Sequence, residues 1–223
     1  MSWLDRLRGK TTSTPPPFPT ERGELPHTLP LGLRLNGRVA FDTLVFRAHP
    51  DKFSVQLPEG HQGMPCYGHI DLGGGHALHR FYFDEDGYLQ VSTAGDAIEG
   101  IKAFVFVETV NPTSQSDFQR FISSHDHLGA PTIEYACRHW QRDFSGDAPS
   151  RAPAVVYDEV LYRHSPPRRD DDLTHYAMLY RREIPELQRD EFLLVTGEDY
   201  GPNEYCVTYA IGLDLTTADL DIT

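Results

Sequence analysis

The sequence predicts a β-rich α+β fold built largely from antiparallel sheets. We expect a sandwich or a two-lobed, partly open barrel, with one or two short helices and a flexible N-terminal extension. Two observations favour sheets: alternating or β-branched runs recur along most of the chain, and Asn-Gly and Asp-Gly turn signals occur beside some of them. Segments with helical periodicity are few and short, so a β-α-β alternation with a parallel sheet is not indicated.

Residues 1–30 are predicted to form an amphipathic segment and a Pro-rich linker, ahead of a single compact domain at 31–223. The first ten residues have the spacing of a short helix with an apolar face and basic flanks. Such a segment is typical of a peptide that docks on a partner or an anionic membrane, although so short a helix is marginal alone and its packing on the body is the alternative. The residues expected to make these contacts are Trp3, Leu4, Leu7, Arg6 and Arg8.

The first part of the body has the sequence pattern of β-strands. Alternation over residues 33–48, with a turn at Asn36-Gly37, and the run at 52–57 predict short strands. The clearest hairpin covers residues 79–92 around a turn that ends in Asp86-Gly87, because an Asp-Gly step readily takes the positive φ that such a turn needs. The β-branched and aromatic run at 101–110 predicts a central strand covered on both faces.

A helix is predicted next, and strands follow it. A start signal at residues 111–116 and the apolar stripe of Phe118, Phe121 and Ile122 predict a helix that ends near Gly129. If the body has two lobes, they divide near residues 112–131. The remaining predicted strands cover residues 132–140, 154–163, 175–182, 192–197 and 205–215.

Composition limits the classes of function. The chain has 20 Lys and Arg against 33 Asp and Glu, and its net charge of −13 repels phosphate backbones, so we expect no nucleic-acid partner. Three widely separated cysteines without a Cys-x-x-Cys pair speak against a disulfide framework or a zinc ribbon. No apolar run reaches the ~20 residues that span a bilayer. We expect a cytoplasmic protein, with peripheral contact to the inner membrane left open.

Histidines concentrate between residues 61 and 79, where a metal site is one hypothesis. His69 and Asp71 would share one face of a strand, and His76 and His79 follow a triple-glycine turn at 73–75. Imidazole and carboxylate are good ligands for zinc. The spacing matches no zinc signature such as His-Glu-x-x-His, and His76 and His79 would face opposite ways on a strand. The metal set in this hypothesis is His69, Asp71, His76 and His79.

Other polar clusters fit structural roles. His125-Asp126-His127 lacks the nucleophile of a triad, and the triple glycine lacks the Lys-Ser/Thr of a phosphate-binding loop. The acidic triplet at 84–86 and the acidic pair Glu198-Asp199 are interpreted as solvated turn residues. Their spacing is not that of a calcium-binding loop.

Several sequence segments together resemble those of a known family. The opening MSWL, the Pro-rich linker, HYAMLYRRE at 175–183, EFLLV at 191–195 and AIGLDL at 210–215 resemble the YjfK-like family of uncharacterised bacterial proteins. The resemblance implies a cytosolic protein in an envelope-associated process, because members are often encoded near a membrane-remodelling protein of the phage-shock type and near small membrane proteins. The expected partner is a protein, either a membrane-remodelling protein of this type or a small membrane protein. The resemblance carries over no catalytic residue.

The function expected from the sequence is therefore binding. We expect a non-enzymatic binding or adaptor protein that needs no cofactor and acts in an envelope-associated process through its N-terminal segment. The alternative is a metal-dependent hydrolase that uses the histidine segment. Whether the protein is an enzyme stays open, with the balance against it, because no complete catalytic constellation is present in the sequence.

Overall fold

The structure is a computed structural model that describes residues 28–125, 127–143, 150–163 and 168–223. Thirteen strands and two α-helices lie in these residues. In chain order they are β1 (Arg38–Phe41), α1 (Leu44–Ala48), β2 (Gln62–Gly63), β3 (Cys66–Gly73), β4 (His76–Phe83), β5 (Gly87–Ala94), β6 (Ala97–Val110), α2 (Gln115–Ser124), β7 (Thr132–Tyr135), β8 (Arg138–Arg142), β9 (Val155–Arg163), β10 (Arg168–Ile184), β11 (Arg189–Gly201), β12 (Glu204–Leu215) and β13 (Leu220–Ile222).

Eight of the strands close into a barrel. Strands β3–β6 form one antiparallel meander and β9–β12 form a second, and the two meanders meet along two seams, β6 with β12 and β3 with β9. The β6–β12 seam is long, running from the Ile101–Leu215 pair to the Val110–Val207 pair. The β3–β9 seam contains only the pairs Tyr67–Tyr162, Gly68–Leu161 and His69–Val160. The prediction of a β-rich, antiparallel fold is confirmed, and the barrel is closed.

Glycine positions explain two of the three hairpins of the first meander. Gly73, Gly74 and Gly75 all have left-handed backbone angles, with φ of 76°, 64° and 81°, which glycine takes without the strain that a Cβ would cause. The β4–β5 turn ends at the predicted Asp86-Gly87 step, but neither residue takes the predicted positive φ. Glycine is needed at 87 because a Cβ there would lie 2.4 Å from the carbonyl oxygen of Phe104. Both turns therefore hold the polar strand β4 between β3 and β5, where its side chains reach the barrel lumen.

Helix α2 packs on the outer surface of the second meander. The Ser114 side chain accepts a hydrogen bond from the backbone N–H of Asp117 and caps the helix. Phe118 is buried and stacks on Tyr205 at 5.1 Å between ring centroids. A Cβ on Gly197 would lie 2.7 Å from Ile122, so the glycine lets the helix approach the sheet. The predicted helix and its apolar stripe are confirmed, but the helix ends at Ser124 and not near Gly129. Residues 112–131, the predicted division between lobes, connect two meanders that belong to one barrel.

The N-terminal part of the body differs from its prediction. Only β1 forms a strand between residues 33 and 48, residues 44–48 form α1, and residues 52–57 form no strand. These residues instead cover the outer face of the barrel: Phe53 and Leu57 are buried there, and the Phe46 and Phe53 rings pack at 4.9 Å. The alternation predicted the burial of Leu33, Val39 and Phe41 correctly, but Val45 is exposed on α1, and the segment covers the barrel without adding strands to it.

Two further differences are local. Residues 132–140 form a hairpin of β7 and β8 and not one strand, because Ala136 and Cys137 take left-handed φ values of 50° and 58° between them. A separate small sheet, β13-β1-β2, joins the last strand to the first. Neither α-helix in the described parts of the chain is long and apolar enough to cross a membrane.

Candidate functional site

Charged and polar side chains occupy the barrel lumen. Side chains alternate between the two faces of a strand, so each barrel strand sends every second residue inward. Most inward positions are apolar, but Arg80 on β4, Glu159 on β9, His175 on β10 and Glu198 on β11 are charged or polar and no more than 8% exposed. Buried charges are costly unless they are paired, so their contacts determine what the lumen can do.

Arg80 and Glu159 form the centre of this lumen. Arg80 donates from Nη1 to Oε2 of Glu159 at 2.7 Å, from Nε to Gln90 at 3.1 Å and from Nη2 to the Tyr157 hydroxyl at 3.0 Å. His175 Nε2 lies 2.7 Å from the same Glu159 oxygen. These side chains, together with Tyr82, whose hydroxyl donates to Glu159 Oε1 at 2.9 Å, are called the lumen network: Arg80, Gln90, Glu159, His175, Tyr82 and Tyr157.

The network sets the protonation of Glu159. Burial raises the pKa of this carboxyl, but the Arg80 charge and the hydrogen bonds from His175 and Tyr82 outweigh burial and bring the pKa to about 2. Glu159 is thus a carboxylate at neutral pH, and the surrounding donors satisfy both of its oxygens. The ion pair is a fixed part of the barrel.

Glu159 reaches Arg80 by crossing over a glycine. It starts on β9, passes over Gly68 on the adjacent strand β3, and meets Arg80 on β4. A Cβ on Gly68 would lie 1.7 Å from Glu159 Oε1, so no other residue fits at this position without displacing the carboxylate. One side chain thereby connects three strands across the short β3–β9 seam.

Two atoms in the lumen lack hydrogen-bond partners. Among the described residues, the buried side-chain nitrogens without a partner are Gln90 Nε2 and His175 Nδ1. Because the other ring nitrogen of His175 faces a carboxylate, that nitrogen carries the proton, and in the neutral ring Nδ1 is an acceptor. His175 is paired in register with Glu198 on β11. The lumen therefore contains an imidazole nitrogen without a partner on the strand next to the buried Glu198.

One end of the barrel opens into a cavity of about 540 Å³, here called the mouth cavity. Its walls come from strand ends at that side of the barrel and from the β4–β5 turn. The lining residues are Cys66, Tyr82, Asp86, Phe106, Val107, Glu108, Thr109, Leu161, Arg163, Leu173, Glu198, Tyr200, Cys206 and Thr208. Tyr82 belongs to both the cavity and the lumen network, so the cavity lies directly beside the network.

Glu198 is the most buried charge of the mouth cavity. Its Oε2 accepts a hydrogen bond from the Tyr200 hydroxyl at 2.8 Å and lies 3.6 Å from the Cys206 sulfur, while Oε1 accepts from Thr208 at 2.8 Å. All three are neutral donors. The interpretation of Glu198 as a solvated turn residue is wrong, because β11 continues to Gly201 and directs the carboxylate inward.

The cysteine beside Glu198 is not an activated thiol. Burial and the adjacent Glu198 charge raise the pKa of Cys206 to about 12. Nucleophilic cysteines need a lowered pKa, because the thiolate is the reactive form. Burial and Glu198 also raise the pKa of Tyr200, so its hydroxyl stays protonated as a donor. These groups hold the carboxylate and do not provide a nucleophile.

The histidines of the metal hypothesis lie elsewhere, on the outer face of the barrel and at its β3–β4 turn. His69 and His79 are cross-strand neighbours with ring centroids 5.5 Å apart. His79 is hydrogen-bonded through both nitrogens, to Tyr67 at 2.8 Å and Thr93 at 3.2 Å. Burial, and to a smaller extent the nearby His69, lowers the pKa of His79 to about 4. A neutral, doubly hydrogen-bonded ring has no lone pair left for a metal.

The other two proposed ligands point to different partners. His76 Nδ1 lies 3.3 Å from Glu99, and the Asp71 carboxylate accepts the backbone N–H of Gly73 at 2.7 Å. Within the described residues, no group of three or more His, Cys, Asp or Glu side chains is placed to hold a metal ion. The predicted contact residues Trp3, Leu4, Leu7, Arg6 and Arg8 lie outside the described residues.

The fold and the lumen define a class of protein, a closed eight-stranded antiparallel barrel with a charged interior and one open end. A family model described as "Protein of unknown function (DUF2491)" matches residues 3–221, and the chain belongs to this family. It is also 32% identical over 201 residues to "Uncharacterized protein YjfK" of Escherichia coli (strain K12), covering 86% of this chain and 90% of that protein. The resemblance to the YjfK-like family is confirmed. No solved structure matches the chain.

The lumen network gives a prediction for Glu159→Gln. We expect the free energy of unfolding at neutral pH to fall by about 3–5 kcal/mol, because the substitution leaves the buried Arg80 charge uncompensated. A carboxyl whose pKa is lowered on folding stabilises the protein above its ordinary pKa and loses that effect in acid. The difference between wild type and variant should therefore shrink as pH falls from about 4.5 towards about 2.

Urea unfolding followed by circular dichroism measures both effects. Glu59→Gln is the matched control, since Glu59 forms an exposed ion pair with Arg47 at 3.5 Å and its loss should cost no more than about 1 kcal/mol. Equal stability of the Glu159 and Glu59 variants at neutral pH would contradict a stabilising role for the lumen network.

Proposed function

We propose that the protein is a non-enzymatic binding protein that takes a small ligand into the mouth cavity. The observation that carries the proposal is the cavity itself, about 540 Å³ at the end of a closed barrel. Small-molecule sites are commonly concave, of about 300–1,000 Å³, with mostly apolar walls and a few placed polar groups. Leu161, Leu173 and Phe106 supply apolar wall here, and Glu198 and Thr208 supply the placed polar groups.

The chemistry of the lining supports binding more than catalysis. The Cys206 thiol has a raised pKa, and the Glu159 carboxylate is engaged by Arg80, His175 and Tyr82. A reaction centre needs a nucleophile or base with an orienting partner at the place where substrate sits. The metal-dependent hydrolase stays a prediction that elemental analysis of the purified protein would test, and no contact of His69, Asp71, His76 or His79 favours it.

Filling the mouth cavity should abolish binding. Cys206→Phe places a ring in the cavity, whereas Val156→Phe places the same ring on the outer face of β9, where Val156 is 47% exposed. We expect the neutral naphthalene dye Prodan to bind wild type and the Val156 variant at one saturable site with a blue-shifted emission. The Cys206 variant should bind at least about tenfold more weakly.

Fluorescence titration measures the three affinities, and circular dichroism confirms that both variants fold. Equal dye affinity in all three proteins, or no saturable binding to wild type, would contradict a ligand site in the mouth cavity.

We also propose that residues 1–10 attach the protein to an anionic membrane surface, which gives the binding protein its adaptor role in an envelope-associated process. Residues 1–10 carry three basic side chains and one acidic side chain, which leaves −15 for the remaining residues against −13 for the whole chain. Anionic lipid would attract the segment and repel the body. Trp3, Leu4 and Leu7 supply the apolar contact, and the Pro-rich linker supplies reach.

Deletion of residues 1–10 should reduce co-sedimentation with vesicles that contain phosphatidylglycerol, because both the basic charges and the apolar face are lost. The matched control is Trp3→Ala with Leu7→Ala, which keeps every charge and should give an intermediate loss. Unchanged sedimentation of the deletion variant would contradict membrane attachment by this segment, and retained pull-down of a protein partner would reassign the segment to protein binding.

A further inference from the structure

We infer that the mouth cavity selects a small organic cation and binds its primary ammonium group against Glu198. The inference rests on the proposed binding function and adds the chemical class of the ligand. It comes from the contacts of Glu198, from the charge balance of the lumen and from the composition of the cavity rim.

Glu198 has hydrogen bonds but no counter-ion. The Tyr200, Cys206 and Thr208 donors are all neutral, and no Lys, Arg or His nitrogen of the described residues forms an ion pair with it. The residue is only 8% exposed. A buried carboxylate is stabilised most strongly by a cation that also donates hydrogen bonds, so an ammonium group is the complement that the site lacks.

The basic side chains of the lumen network are directed to Glu159 and not to Glu198. Arg80 is directed to Glu159, and Glu159 on the opposite meander already takes its Nη1 and the Nε2 proton of His175. Arg80 and Glu159 thus balance each other's charge, and none of the ion pairs between described residues includes Glu198. The unmatched negative charge is on Glu198.

The polar groups at the inner wall of the cavity also suit a donor. Glu198 presents two carboxylate oxygens there, and its register partner on β10 is His175, whose Nδ1 atom has no hydrogen-bond partner. A primary ammonium group has three N–H donors, which suits the acceptor oxygens of Glu198. A carboxylate or phosphate would meet the Glu198 carboxylate and be repelled.

The rim and walls favour a cation with an organic body. Asp86 and Glu108 are exposed at the rim, against the single cation Arg163, so the lining carries three carboxylates in all and one guanidinium. Charge of one sign at a cleft entrance attracts ligands of the opposite sign. Phe106 and Tyr82 provide aromatic surface, which contacts alkylammonium groups favourably.

Three probes that share the 3,3-dimethylbutyl group test the inference. They are 3,3-dimethylbutylamine, 3,3-dimethyl-1-butanol and 3,3-dimethylbutanoate, which at neutral pH are a cation, a neutral molecule and an anion of similar size. We expect amide chemical shifts of the lining residues to report binding of the amine at least about tenfold tighter than the alcohol, with the anion weakest. Glu198→Gln should weaken the amine about tenfold or more and leave the alcohol unchanged, which also shows that the cavity is intact.

The matched control is Glu204→Gln, because Glu204 is an exposed carboxylate at the start of the same strand, β12, and does not line the cavity. It should leave all three affinities as in wild type. Equal binding of amine and alcohol, or equal loss in the Glu198 and Glu204 variants, would overturn the cation inference and leave the cavity as a ligand site. If no probe shifts the lining residues and Prodan does not bind, both the cation inference and the proposed ligand site in the mouth cavity are overturned.

Discussion

Arg80 and Glu159 belong to different meanders, and their ion pair connects the meanders where backbone pairing between them is shortest. The β3–β9 seam contains three residue pairs, and the β6–β12 seam contains nine. Glu159 crosses Gly68 on β3 to reach Arg80 on β4, so that one buried carboxylate links three strands. Because burial removes both charges from water, either one alone is strongly destabilising, and the pair favours the arrangement in which these two meanders meet at this seam.

The same ion pair also affects the charge at the open end of the barrel. Inward residues on β11 change from Phe192 and Leu194 to Thr196 and Glu198 along the strand, so the lumen becomes more polar towards the mouth cavity. Arg80 is engaged by Glu159, and no cation among the described residues pairs with Glu198. The network links the two meanders of the barrel, and under the proposed function the Glu198 carboxylate beside it would select the ligand.

Local features were predictable because their causes are local. The Asp-Gly hairpin, the Phe118 and Ile122 stripe of α2, and most strands of the second meander follow from turn chemistry and periodicity. Closure of the barrel was not predictable, since the two seams pair residues about 90 to 115 positions apart and no local pattern shows which strand edges meet. The lumen charges did leave a signal, as Arg80 lies between Leu78 and Tyr82, and Glu159 between Tyr157 and Leu161, on one strand face. That pattern predicts a buried charge and not its partner. Glu198 resembled a turn residue because Gly197 and Asp199 flank it.

A double-mutant cycle at Arg80 and Glu159 tests most directly whether their pairing closes the barrel. Arg80→Met, Glu159→Gln and the double variant would be compared by urea unfolding at neutral pH. If the ion pair links the meanders as described, each single variant leaves a buried polar group uncompensated, and the double variant should be more stable than the sum of the single losses predicts, with a coupling of about 2 kcal/mol or more. Losses that add to within about 0.5 kcal/mol would show that the two residues act independently and would contradict the central role of the pair.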